Sequence, residues 1–206
     1  MNSILLRGAV SEAAVYSHES HGQQYYQLTL TTTRLSGTED HLRVLLPETL
    51  LHSCDLGPGG RVALEGTLRS FNNKSGEGSR LILSALAKSL TPDDGASENC
   101  VELSGTLCKA PIYRRTPLGR EICDLLLAVP RAYGRADYLP IIAWGSCARA
   151  CADFAVGDAV IVEGRFQSRK YIKLIGDESV EKTAYEVSAV RVEPGEPEEE
   201  GGGAED

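Results

Sequence analysis

Hydrophobic and polar positions alternate in short runs along this chain, and Gly- and polar-rich turns separate the runs. Period-2 alternation marks strands with one buried face. In the first half it predicts strands over 3–10, 24–34, 41–47, 61–71 and 80–90, with Gly8 inside the first. A short helix is expected at 48–54, stopped by LGPGG, and NNKSGEGS reads as a polar hairpin turn. TPDDGASEN, residues 91–99, is a linker by composition.

The pattern then starts again. VELSGTL at 101–107 matches ILLRGAV at 4–10, with Gly105 against Gly8. Arg131 and Asp137 match Arg34 and Asp40 at an offset of 97. AVIVEGRFQS matches RVALEGTLRS at an offset of 98, with Glu163 and Gly164 against Glu65 and Gly66, and YEVSAV aligns with LILSAL. Collinear matches at a nearly constant offset indicate a tandem duplication. Each copy has five strands with a helix between the third and fourth, the order of an OB-fold, a partly open Greek-key barrel. The expected fold is all-β: two tandem OB-fold five-stranded Greek-key barrels, at 1–91 and 100–193, each with that short helix. A linker at 92–99 joins them, and an acidic tail at 194–206 is disordered by composition. A mid-strand glycine suits a first strand that bends sharply.

Most of the chemistry lies in the second copy. Over 137–144, alternation sends Leu139, Ile141 and Ala143 to one face and Tyr138, Pro140, Ile142 and Trp144 to the other. Over 159–171, Val160, Val162 and Phe166 point inward, and Arg165, Arg169 and Tyr171 outward. Rings for base stacking beside guanidinium groups for phosphates suit single-stranded nucleic acid. A barrel strand whose rings complete a hydrophobic rim or an oligomer interface gives the same pattern. At the positions of Tyr133, Tyr138 and Trp144 the first copy has Ser36, His41 and Pro47. At those of Arg165, Arg169 and Tyr171 it has Thr67, Phe71 and Asn73. The second copy is therefore expected to be the stronger binder. Arg34, Arg69, Phe71 and Lys74 remain for secondary contacts in the first, whose other roles are dimerisation or spacing.

A formal charge of −8 argues at first against a nucleic-acid partner. Its distribution changes that: residues 1–98 carry −3, residues 99–192 carry 13 basic against 11 acidic groups, and residues 193–206 carry seven acids and no base. No apolar run reaches transmembrane length, and MNSILLRGAV is too short and too interrupted for a signal peptide, so a soluble cytoplasmic protein without membrane contact is expected. The six cysteines (Cys54, Cys100, Cys108, Cys123, Cys147 and Cys151) form no CxxC pair and are expected as reduced thiols. Cys147 and Cys151, four apart on the helix, invite a metal but lack a second ligand pair. No P-loop, metal cluster or nucleophile–base set appears, so neither catalysis nor a cofactor is expected. His18 and His21 fall in a polar loop of the first copy, and His41 and His52 have no evident catalytic partner.

The strings GTLCKAPIYRRTPLG, LLLAVPRAYG, DYLPIIAWG, FAVGDAVIVEGRFQSRKY and YEVSAVRVE, in that order, resemble the bacterial single-stranded DNA-binding protein family over 101–193. The resemblance implies stacking by Tyr133, Tyr138, Trp144 and Tyr171, and phosphate contacts by Arg115, Arg131, Arg165, Arg169 and Lys170. It also implies a homodimer presenting four OB-folds, with a role in replication, recombination or repair and with partners among replication or repair proteins. Two departures stand out: YGRADY is a short loop, and the acidic tail lacks a hydrophobic tip. An OB-fold interaction or accessory module is the alternative function, and RNA is an alternative ligand.

Overall fold

Alternation in the sequence becomes alternation of burial. In β1 (Asn2–Ser20) Ile4, Leu6 and Val10 are buried, and Ser3 and Ser11 are exposed. The computed structural model describes residues 1–73, 81–175 and 178–196, so Lys74, NNKSGEGS beyond Asn73 and the tail beyond Glu196 lie outside the described residues.

β1 is followed by β2 (Gln23–Thr33), β3 (Glu39–Pro47), a 3-10 turn (Glu48–Leu50), β4 (Arg61–Asn72) and β5 (Leu81–Pro92). β1 pairs with β2 and β4, β2 with β3, and β3 runs parallel to β5, which returns to β4. The ring therefore closes as β1-β2-β3-β5-β4. The second barrel repeats it. β6 (Glu98–Leu107), β8 (Glu121–Arg131), β9 (Arg135–Trp144), β10 (Ala159–Ile175) and β11 (Glu178–Pro194) close in the same way, with β9 parallel to β11. A short β7 (Ile112–Arg115) adds to β8, and α1 (Gly145–Cys151) lies between β9 and β10. This is the five-stranded barrel order, twice. No helix among the described residues is long and apolar enough to cross a membrane.

The repeated glycines sit where strands touch. A Cβ on Gly8 or Gly105 would collide with the carbonyl oxygen of Thr31 or Ala128, as the first strand crosses the second. Gly66 and Gly164 follow a β-bulge in each copy, and a Cβ there would collide with the carbonyl of Leu86 or Ser188.

Three local expectations need correction. β1 does not end at Val10 but runs on to Ser20 in a long hairpin with β2, turning at His21 and Gly22 at φ of 53° and 74°. SEAAVYSHES carries no apolar alternation, so pattern gave no sign of it. The arm is held by its ladder and by rings, Tyr16 edge-on to Tyr26 at 5.8 Å and His18 stacked on Tyr25 at 5.1 Å. His18 is thus a strand residue. The helix expected over 48–54 shrinks to a single 3-10 turn without a side-chain cap. Ile142, assigned to the outer face, is buried there, with Asp124 and Ser188 beside it in register. On α1, Cys151 is buried and Cys147 half-buried, and burial pushes the Cys151 thiol up to about 12.

The barrels share one seam. β1 and β6 pair antiparallel from Asn2↔Leu103 to Arg7↔Glu98, making one continuous sheet. Beside it, within the first barrel, the Asn2 amide brackets the backbone of Leu68, donating at 2.8 Å and accepting at 2.9 Å. Asn99 does the same to Phe166 at 2.7 and 2.9 Å. The seam thus has a pseudo-twofold axis: Asn2↔Leu103 and Leu6↔Asn99 exchange under the offset of 97 between the copies.

Candidate nucleic-acid interface

Register places the second barrel's outer face. Ser188 lies between Ile142 of β9 and Arg165 of β10, Gln167 faces Glu186, Arg169 faces Ala184, and Tyr171 faces Lys182. Opposite residues in a ladder share a face. Tyr138, Pro140, Ile142 and Trp144 therefore share one face with Arg165, Arg169 and Tyr171. Tyr138 and Trp144 are half-exposed, at 48% and 39%. Six residues of strand hold them roughly 20 Å apart. Arg169 lies over the Tyr171 ring at 5.9 Å. Arg114, which sequence reasoning passed over, is in register with Ile122 and through it with Trp144, whereas Arg115 is one residue off that row. Every residue of β7 is exposed, so nothing in IYRR tells the two faces apart. Tyr113 was missed for the same reason.

The cations on and beside this face carry their own counter-charges. Arg169 meets Glu186 at 3.4 Å, Lys170 meets Glu181 at 2.9 Å, Arg114 meets Asp124 at 2.8 Å, and Arg115 meets Glu121 at 3.1 Å. Arg149 also pairs with Glu121. The Tyr113 hydroxyl donates to Glu121 at 2.7 Å and, with the flanking arginines, holds that carboxyl below the usual carboxylate range. An incoming phosphate must compete with these carboxylates.

The remaining candidates lie at the seam. Arg34 donates twice to Asp40, at 2.7 and 2.6 Å. Arg131 stands 3.5 Å from Asp137, and Arg69 of the first barrel reaches the same carboxylate at 3.1 Å without an aligned hydrogen bond. Arg165 is half-buried, and its Nε has no hydrogen-bond partner. Arg34, Arg69 and Arg131 are thus engaged by buried carboxylates at the contact between the barrels. Phe71 is exposed on β4. Tyr133 is not on the second barrel's platform. It projects from the β8–β9 turn, 98% exposed, at a φ of 62°.

That turn completes an open cleft of about 720 Å³ against the first barrel. Arg131, Tyr133 and Arg135 line it from the second barrel, Arg69 and Lys88 from β4 and β5, and His21 from the tip of the β1–β2 hairpin. Lys88, Arg135 and His21 were not foreseen, because only the seam brings them together.

Residues 98–194 match a family model described as the single-strand binding protein family. A deletion variant of the single-stranded DNA binding protein from Thermus aquaticus aligns at a TM-score of 0.75 and 26% identity, covering 100% of this chain and 98% of that chain. The wild-type protein of that organism aligns at a TM-score of 0.76 and 23% identity, covering 96% of this chain and 94% of that chain. The N-terminal domain of PriB protein from Thermoanaerobacter tencongensis is 33% identical over 46% of this chain and 98% of that chain, but at a TM-score of 0.40 it bears no weight. None of the curated proteins matches significantly.

Proposed function

This chain belongs to the single-strand binding protein family, and on that footing we propose that it binds single-stranded DNA without catalysis and largely without regard to sequence. The observation that carries this reading is the shared outward face of Tyr138, Trp144, Arg169 and Tyr171. Stacking on such rings contributes roughly 1–3 kcal/mol per base and tolerates any base, since each has a π face. Cations around the rings add a salt-dependent term of about 0.7 in log affinity per phosphate neutralised on a single strand. A net acidic protein can bind this way because the local field, not the total charge, meets the ligand.

We place Arg114, Arg115, Arg165, Arg169 and Lys170 around the rings as phosphate contacts. We further propose a homodimer presenting four barrels, acting in the cytoplasm in replication, recombination or repair. The test is a titration of Trp144 fluorescence, the only tryptophan, with poly-dT at two salt concentrations. Strong quenching that weakens with salt is expected, and its loss in the Tyr138→Ala/Trp144→Ala pair (read by anisotropy of labelled DNA) with the dimer intact. Absence of any DNA binding overturns the proposal. Sedimentation of the free protein checks the dimer, and competition with oligo-U separates DNA from RNA.

One observation favours a second reading. The ion pairs on and beside the outer face offset its cations, which suits a protein-interaction or accessory module with exposed rings as its patch. In that case the Tyr138→Ala/Trp144→Ala pair loses a protein contact and DNA binding is weak from the start.

A further inference from the structure

We infer that the first barrel is a splint for the ring face of the second, and that Ser70 is the residue through which it positions Tyr138. The inference rests on the proposed single-strand binding and adds to it a positioning residue that lies on the other barrel, outside the face itself.

Strand edges are the first argument. β9 pairs with β11 only over residues 141–143, and β10 pairs with β6 only as far as Gly164. Tyr138 on β9 and residues 165–171 on β10 therefore lie beyond those ladders, each on a strand with one edge left open by its own barrel. The N–H and C=O groups of such an edge need partners from elsewhere. The first barrel supplies them. Ser70 Oγ accepts the Tyr138 N–H at 2.7 Å. Asp40 accepts the Ser168 N–H at 2.9 Å, and Arg34 donates to the Ser168 carbonyl at 3.5 Å. Tyr138 carries a ring of the face, and Ser168 directly precedes Arg169.

The second argument is the completeness of the grip on Tyr138. Ser70 donates its backbone N–H to Asp137 at 2.8 Å while its Oγ receives the N–H of Tyr138. One residue of β4 thus holds two consecutive residues of β9. The Tyr138 ring is 48% exposed and takes part in none of the hydrogen bonds or ring contacts among the described residues. Its direction is therefore set through the backbone that Ser70 fixes. A ring aimed before the ligand arrives loses less freedom on binding.

The third comes from comparing the copies. His41 takes the place of Tyr138 in the first barrel, and Ser168 Oγ holds its N–H in the same way, at 3.0 Å. The His41 ring, however, is bonded at 2.9 Å to the hydroxyl of Thr31, its partner on the neighbouring strand. Both copies have the clamp, but only the second presents an unengaged ring from it.

The test compares wild type, Ser70→Ala, Ser70→Thr, Tyr138→Ala and Ser70→Ala/Tyr138→Ala as full-length proteins. Anisotropy of labelled oligo-dT reads affinity, and hydrogen exchange reads the Tyr138 amide. Losing one positioning hydrogen bond should weaken binding by about three- to tenfold, less than the loss of the ring in Tyr138→Ala. Ser70→Thr keeps the hydroxyl acceptor and should stay within about twofold of wild type. On the Tyr138→Ala background, Ser70→Ala should cost nothing further, because it acts only through that ring. In the free Ser70→Ala protein the Tyr138 amide should exchange about tenfold faster, with amides inside the β9–β11 ladder unchanged. If Ser70→Ala does not fold, Ser70→Cys replaces it in the same cycle, since a thiol is a weak acceptor. Additive losses in the double variant, or full affinity without the Ser70 hydroxyl, overturn the inference. If wild type binds no oligo-dT, the single-strand reading itself has failed, and the positioning role fails with it.

Discussion

Asp40 and Asp137 are images of one another across the seam. Each is buried, at 1% and 0% exposure, and each accepts a backbone N–H from a serine of the other barrel, Ser168 at 2.9 Å and Ser70 at 2.8 Å. The two serines reciprocate: Ser168 Oγ accepts the N–H of His41 at 3.0 Å, and Ser70 Oγ accepts that of Tyr138 at 2.7 Å. The barrels are thereby locked by two buried carboxylates, each of which needs an arginine.

Arg34→Ala removes the bidentate partner of Asp40 and leaves a buried carboxylate uncompensated. A loss of about 3 kcal/mol is expected from breaking such a pair. Urea unfolding should show a lower midpoint. Arg34→Lys should recover only part of the loss, because an ammonium cannot reproduce the fork.

Burial pushes the Asp137 carboxyl above the usual aspartate range, against the pull of the Ser70 N–H and Arg69. In the window from about pH 4 up to that raised value, the native protein therefore holds more protons than the unfolded chain. This contribution to stability is fully present below the window and is lost as pH rises through it. The difference in unfolding free energy between wild type and Asp137→Asn should change with pH across that window and become flat above it. A pH-independent difference would refute the assignment.

Glu186 sits 3.4 Å from Arg169 on the ring face. Removing its charge should free the guanidinium for phosphate, so Glu186→Gln should bind poly-dT several-fold more tightly at low salt and with a steeper salt dependence. Arg169 is open to solvent and Glu186 largely covered, at 55% and 15% exposure. A pair wet on one side contributes roughly 0–1 kcal/mol to folding, so the melting temperature should shift little.

Gly164 follows the bulge in β10, and the Ser188 carbonyl occupies the space a side chain would need. Gly164→Ala must shift backbone and should cost roughly 1–3 kcal/mol, by analogy with overpacked cores. Gly119, at a φ of 76° with open space around it, has no such neighbour. Gly119→Ala is strained in backbone only and should cost less. Thermal melts of the two variants decide the order.

Much of this was legible in the chain. The doubled barrel follows from the offset between Gly8 and Gly105 and between Gly66 and Gly164, because each glycine answers a local steric demand that recurs with the fold. The ring face follows from period 2 in β9 and β10, since a ladder transmits parity from strand to strand. The match of Arg34 and Asp40 to Arg131 and Asp137 was visible too, though only as repetition. That these pairs clamp one barrel to the other is a property of the seam, and no spacing within a copy encodes it. The same holds for Lys88, Arg135 and His21, which are far apart in the sequence and meet only where the β8–β9 turn overhangs β4 and β5. The outgoing arm of β1 was invisible because both its faces are wet.

Pairing β1 with β6 on one polypeptide has a consequence for dilution. Two separate barrels joined along such an edge would part as their concentration fell. Tethered by residues 93–97, these two meet at an effective concentration fixed by the connector rather than by the amount of protein. The pairing also caps two open sheet edges that would otherwise invite foreign strands. Scarcity of the protein therefore cannot split its unit of two barrels.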